Sequence, residues 1–370
     1  MHILLVEPKY YTKYPPLGLL KLASYHKQQG NSIELVRGEN SPKRRPDEIY
    51  VTSLFTYAWK PVHQSVKFYK SRYPEAELTL GGIYASLMPD HASASGADHI
   101  HIGLLREAED LLPDYSLVPN WKSSILFASR GCVRSCGFCA VPELEGKLNS
   151  LKYSIKHLIY PGHNSVILWD NNILAASNWK EVFDELFEMR LNVDFNQGLD
   201  VRYVTEEVAA RINRLRVKTI RLAYDYSEIN SFVERAIERL KGLGIRGRRV
   251  VVYTLYNYRD SPDDFFRRVR DLLEWGVVSY PMRFEPLDSL EKNRYVGPKW
   301  TNSLLEMVAD ARRVLGCNGA FPPYDGLVNK FLKAGNFEEG FALRPPKKKT
   351  RTSRFQEGSQ GSLRKRLRLN

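Results

Sequence analysis

Three of the four cysteines fall within eight residues of the segment Arg130-Gly-Cys-Val-Arg-Ser-Cys-Gly-Phe-Cys139, in the order Cys132-x-x-x-Cys136-x-x-Cys139. A turn tight enough to aim three thiolates at one place suits metal ligation, and cysteines used in this way argue against disulfides. A structural zinc site closes its tetrahedron with four protein ligands, and no second cysteine pair or His-x-x-x-His lies nearby to supply one. An iron–sulfur cube held by three thiolates keeps one iron open to another ligand. A zinc knuckle is the competing reading. Whatever this chain folds into must present that loop.

The spacing, with aromatic Phe138 before the last cysteine, resembles the signature of radical S-adenosylmethionine (SAM) enzymes. The resemblance implies that Cys132, Cys136 and Cys139 ligate a [4Fe-4S] cluster and act as the catalytic centre. It also implies that the open iron takes the amino and carboxylate groups of SAM, and that Phe138 lies near the adenine. The implied chemistry is reductive cleavage of SAM to a 5'-deoxyadenosyl radical, with the electron supplied by a donor such as flavodoxin or ferredoxin. The protein's part would be position and exclusion of water.

Residues 1–120 alternate apolar runs with helical patterns. Strands are expected at Ile3–Val6, Ile33–Val36, Ile49–Leu54, Leu78–Leu80 and His99–Ile102, and helices from Leu17 and from Val62. Such alternation implies a flavodoxin- or Rossmann-like parallel sheet with helices on its faces. Val6-Glu-Pro8, Pro15-Pro-Leu-Gly-Leu-Leu20 and Leu80-Gly-Gly-Ile-Tyr-Ala-Ser-Leu-Met-Pro89 resemble the N-terminal cobalamin-binding-type domain of one radical SAM subclass. A corrinoid would then lie over the loops Glu7–Tyr14, Ser53–Trp59 and Gly81–Tyr84, although the chain lacks an Asp-x-His-x-x-Gly loop to ligate cobalt. The plain reading of Gly81-Gly82 is a tight turn needing positive φ.

A linker over 112–124 leads to residues 121–297, where the rhythm resumes. Strands are expected at Ile125–Ser129, Val166–Trp169, Asn192–Phe195, Thr219–Ala223, Val250–Tyr253 and Val278–Pro281, with helices between them. Six βα units match the partial (β/α)6 TIM-type barrel of the resembled family, and barrels place chemistry at the carboxyl ends of their strands. Residues 298–343 read as a helical cap over the open side.

The strand ends carry polar clusters: Asp170-Asn171-Asn172, Asn196-Gln197-Gly198-Leu199-Asp200-Val201-Arg202, Tyr224-Asp225 and Thr254 to Asn257. In the resembled family, Asp170 to Asn172 stand where the SAM amine binds. Arg202 suits the SAM carboxylate as a bidentate partner, and Asp200 or Gln197 suits the ribose. Asp225 and Asn257 face either SAM or substrate. Each is also an ordinary turn or cap residue, and only recurrence lifts the group above that. Cys317 reads as a plain buried thiol, and His91, His99, His101 and His163 as loop or packing residues.

The formal charge of +13 is unevenly placed: residues 344–370 hold ten bases and one acid, and the rest only +4. That tail reads as disordered, and either binds nucleic acid by counterion release or merely solubilises the chain. No apolar run is long enough to cross a bilayer and an acid arrives at Glu7, so a membrane role is not expected and a cytoplasmic protein is. Methylation, sulfur insertion and rearrangement all fit a radical enzyme, acting on nucleic acid, a peptide or a small molecule. Val141-Pro142 and Gly146-Lys147 are similar to the methylthio-transferring members, but too few residues follow the barrel to build their RNA-binding β-barrel. The alternative from another class is a non-enzymatic nucleic-acid-binding or redox-sensing protein stapled by a cluster or zinc.

Overall fold

The computed structural model describes residues 1–150, 154–315 and 317–343. The basic tail expected over 344–370 lies outside the described residues. The fold is α/β, with two parallel systems in succession.

The first sheet has strands β1 (His2–Glu7), β2 (Ser32–Arg37), β3 (Glu48–Ser53), β4 (Glu77–Gly82) and β5 (His99–Ile100) in the order β2-β1-β3-β4-β5, all parallel. This is the doubly wound order, whose switch point lies between β1 and β3 and whose ligand crevice opens beyond the carboxyl ends. Strand β1 is apolar on both faces because both are covered. Ile3 and Leu5 pack with Leu19 and Ala23 of α1 (Leu17–Gln28), while Leu4 and Val6 pack with Val62, Val66 and Tyr69 of α2 (Trp59–Arg72). The last strand is two residues shorter than the sequence suggests.

The second system contains β6 (Ser123–Leu126), β7 (Ser165–Leu168), β8 (Asn192–Phe195), β9 (Ile220–Ala223), β10 (Val250–Tyr256) and β11 (Val278–Arg283). Neighbours follow chain order and run parallel, with β8 joined to β9 through the Leu199–Leu222 bridge. The arrangement is a partial barrel, with α3 (Trp179–Glu188), α4 (Glu206–Arg214), α5 (Asn230–Gly242) and α6 (Pro262–Glu274) between strands. The α6 start is set by a capping box, Ser261 and Asp264 each bonding the other's backbone N–H, with Pro262 in the first turn. Its Phe265, Phe266, Val269, Leu272 and Leu273 recur at helical spacing and are buried.

The cap expected over 298–343 forms α7 (Asn302–Leu315), α8 (Asp325–Lys333) and α9 (Phe337–Phe341). It closes the β11 edge: Ser279 and Phe321 exchange backbone hydrogen bonds at 3.0 and 2.7 Å, and Phe321, Phe331 and Phe341 share a core with Phe265 and Phe266. The first sheet leans on the barrel at β6 and β7, where Leu17 packs with Ile125 and Ile167 beneath Tyr14, Trp121 and Trp169. Among the described residues no helix is long and apolar enough to cross a membrane.

Candidate functional site

The cysteine loop starts where β6 ends. Two short strands missed by the sequence reading, Ser129–Arg130 and Asn149–Ser150, pair antiparallel and clasp both of its ends. Gly131 has φ +76, and a Cβ there would collide with the Lys147 carbonyl, so the clasp requires glycine. Glu145 completes it by accepting from the Gly131 N–H at 2.9 Å, the Arg130 guanidinium at 3.0 Å and the Asn171 amide at 3.0 Å.

All four cysteines are free. The Cys132 sulfur accepts the Arg134 backbone N–H at 3.4 Å and the Asn172 amide at 3.7 Å. Burial pushes the Cys136 and Cys139 thiols up, so metal binding there must displace protons. Tyr226 hydrogen-bonds Cys136, which lowers that thiol against the effect of burial. Among the described residues no group of three His, Cys, Asp or Glu side chains is arranged to hold a metal ion. The three thiols nevertheless share one short loop, and a cube, unlike a single ion, takes each thiolate at a separate iron corner. The donor set and the amide donors aimed at Cys132 fit such a group.

Asp200 is the hub of the mouth. Its oxygens accept from the Arg202 guanidinium at 2.6 and 3.0 Å, from Arg134 at 3.3 Å and from the Asn172 amide at 3.2 Å. Burial pushes Asp200 up, but hydrogen bonds and charge from Arg202 and the charge of Arg134 outweigh it and hold the carboxyl below its usual range. Arg202, expected to be free for a carboxylate, is therefore already engaged by Asp200. Asn172 is 3% exposed, and its Oδ1 is buried with no partner. An orphaned acceptor of this kind calls for a donor from a ligand.

Asp225 follows β9 and has no hydrogen bond to protein among the described residues. Burial raises it to about 6, against the opposing charges of Arg268 and Arg202. Arg268, 1% exposed, ties the ends of β9 and β10 together by donating to the carbonyls of Tyr224 and Leu255 at 2.8 Å each and to Asp260 at 2.7 Å. Phe138 stands between Tyr226 and Tyr258, with ring centroids 5.7 Å from each. Tyr258 continues this aromatic wall to Phe284 at 4.7 Å.

Not every strand-end residue faces the mouth. Asp170 is 3% exposed and turned beneath the cysteine strand, where it accepts from the N–H groups of Ala128 and Ser129 and from the Ser129 hydroxyl. It braces the loop's entry. Asn257, expected to face SAM or substrate, is fully buried at φ +69 and clamps Tyr295 and Gly297 at 3.0 and 2.7 Å. Gln197 is exposed and makes no side-chain hydrogen bond among the described residues, while its neighbour Asn196 donates to the Tyr14 hydroxyl at 2.7 Å. Cys317 is part-exposed rather than buried, 3.9 Å from the Tyr324 hydroxyl. His91 and His63 both bond Tyr84, at 2.6 and 2.8 Å. Sequence reasoning passed over Arg134, Tyr226 and Tyr258. Their signals were a cation between the cysteines and aromatics one residue past two noted strand-end positions.

No family model matches the chain, and no curated protein matches it. Among solved structures it is similar to the radical S-adenosylmethionine methyltransferase TsrM from Kitasatospora setae, solved with cobalamin and a [4Fe-4S] cluster bound. That likeness has 15% identity and a TM-score of 0.58, and covers 76% of this chain and 74% of the other. Weaker likenesses are to the cobalamin-dependent S-adenosylmethionine radical enzyme OxsB (12% identity, TM-score 0.45, 74% and 51% covered) and to the coproporphyrinogen III oxidase HemN from Escherichia coli (11% identity, TM-score 0.36, 56% and 57% covered). The structural neighbours are thus radical SAM enzymes, and the TsrM likeness supports the fold.

Proposed function

We propose that the chain is a radical SAM enzyme, with Cys132, Cys136 and Cys139 holding a [4Fe-4S] cluster at the mouth of the partial barrel. The observation that carries this reading is the three-thiol loop delivered by the first barrel strand into a ring of polar and aromatic residues drawn from successive strand ends. A [4Fe-4S] cluster held by these three cysteines would supply one-electron reduction of the SAM sulfonium, the chemistry that cleaves its carbon–sulfur bond to methionine and a 5'-deoxyadenosyl radical. The chain's own residues do the positioning. Asn172 offers its unpartnered oxygen to the methionine amine, and the Arg202–Asp200 pair presents a guanidinium to the methionine carboxylate. Asp225 accepts from the ribose hydroxyls, and Phe138, Tyr226 and Tyr258 wall in the adenine and exclude water. A protein donor such as a flavodoxin or ferredoxin would supply the electron.

Anaerobic reconstitution tests the reading. About four irons and four sulfides per chain, with release of 5'-deoxyadenosine in the presence of reductant and SAM, are expected. Cys136→Ala should abolish that release. One zinc without sulfide would instead establish the stapled, non-enzymatic alternative, and undiminished release from the variant would remove the ligand assignment.

A corrinoid over the first sheet is a second reading, favoured by the exposed Tyr11, Phe55 and Ile83 on its carboxyl-end loops and by the cobalamin in TsrM. Those loops carry no histidine or cysteine, so a corrinoid would be held by its faces and edges. Purification with cobalamin present and a visible spectrum decides the matter, and a colourless product excludes it.

A further inference from the structure

The barrel end opposite the mouth is built from the short connections that lead from helices back into strands. Between α3 and β8 stands Arg190; between α4 and β9, Arg216 and Lys218; between α5 and β10, Arg246, Arg248 and Arg249. All six side chains are exposed, and none of them pairs with a carboxylate among the described residues, where ion pairs are otherwise common. These connections carry no acidic residue; Glu188, which closes α3 two residues before Arg190, pairs with Lys156 at 3.0 Å, and Glu274 closes α6.

The six form one face. Arg216 donates to the Arg190 carbonyl at 3.0 Å, and Arg249 reaches the carbonyls of Val217 and Lys218. Residues 1–343 carry only +4, so removing these six leaves the remainder at −2. The six cations thus exceed the body's whole net charge, and with no acid in their connections they focus a field on incoming anions.

Exposed rings are interleaved with the cations. The Arg214 guanidinium lies 4.3 Å from the Phe187 ring and that of Arg248 5.1 Å from Tyr324, with the rings 43% and 46% exposed. We infer that this pole is a docking surface for single-stranded nucleic acid, with phosphates on the six cations and bases against the two rings. Unpaired cations favour phosphates because each contact releases condensed counterions, and aromatic faces take stacked bases without regard to sequence. The seven residues of β10 separate this pole from the mouth by roughly 20 Å at about 3.3 Å per residue. A strand bound here therefore leaves the mouth open, and the inference stands whether or not nucleic acid is the enzyme's substrate.

The test uses the full chain and fluorescent oligo(U) RNA and oligo(dT) DNA, with affinity measured across a salt series. The variant Arg190→Ala/Lys218→Ala/Arg246→Ala removes three side chains that make no hydrogen bond among the described residues. The variant Lys43→Ala/Arg44→Ala/Arg45→Ala removes the same charge from the first sheet's periphery. The pole variant should bind roughly tenfold more weakly, with a log–log salt slope shallower by about 2, at 0.7 per lost contact on a single strand. The control variant should keep the wild-type slope. A preference between the two oligonucleotides identifies RNA or DNA as the source. An unchanged slope in the pole variant, an equal loss in the control, or binding to phosphatidylserine vesicles with none to either oligonucleotide would each overturn the inference. Residues 344–370 are common to all three proteins, so the comparison reads the pole alone.

Discussion

Asp170 and Asp225 show how one side-chain type takes opposite roles two strands apart. Both are raised to about 6, with burial as the leading cause, but Asp170 is met by two N–H groups and a hydroxyl while Asp225 accepts no hydrogen bond among the described residues and is opposed only by the charges of Arg268 and Arg202. A carboxyl whose folded pKa lies above its unfolded value near 3.9 binds its proton more tightly in the native state. Its contribution to stability is therefore greatest below about pH 4, falls as pH rises to about 6, and stays low above that. Asp225→Asn should accordingly stabilise the apoprotein at pH 8 by on the order of 1 kcal/mol and leave it unchanged at pH 4. Thermal melting at the two pH values checks this, and equal shifts would rule out burial of the charge as the cause. Asp170→Asn presents an NH2 group where the Ala128 and Ser129 N–H groups need acceptors, and should destabilise at neutral pH by about 1–3 kcal/mol.

At the scale of elements, the sequence announces long strands and conceals short ones. Continuous apolar runs such as Ile3–Val6 and Val250–Tyr253 identify buried parallel strands because both faces are covered. Ser129–Arg130, Asn149–Ser150 and Arg216–Val217 are two residues each, too short to show any period, and two of them form the clasp that closes the cysteine loop. Gly131→Ala tests the clasp, since it combines a left-handed φ with a collision against the Lys147 carbonyl. The variant should fold, because the barrel core is untouched, but should retain less than half the wild-type iron after reconstitution. Full iron content would show that the clasp is dispensable.

At the scale of the whole molecule, a buried ionic chain couples the first sheet to the loop. Lys21 of α1, 6% exposed, donates to the Glu109 carbonyl and carboxylate at 2.6 and 3.2 Å, and Glu109 holds Arg130 at 2.6 and 2.8 Å. Burial raises Glu109, but the hydrogen bonds and charges of Arg130 and Lys21 overcome it and hold the carboxyl down. Breaking such a chain at one member leaves buried charge uncompensated. Glu109→Gln should thus cost about 3 kcal/mol and separate the melting of the first sheet from that of the barrel, detectable as a second calorimetric transition. A single transition at the wild-type temperature would mean that the other contacts, among them the apolar one around Leu17, Ile125 and Ile167 and the Asn196–Tyr14 hydrogen bond, join the two parts without the ionic chain.

The amino-acid sequence by itself determined the strand-and-helix rhythm and the three-thiol loop, because apolar periodicity and cysteine spacing are local properties. It also marked which positions follow strands. Only the tertiary structure decided which of those positions open into the mouth: Asn172, Asp200 and Asp225 do, while Asp170 and Asn257 turn inward to satisfy buried backbone groups. A polar residue after a strand serves a ligand or its own backbone according to which unpaired donors and acceptors the fold brings beside it, and those come from segments distant in the chain.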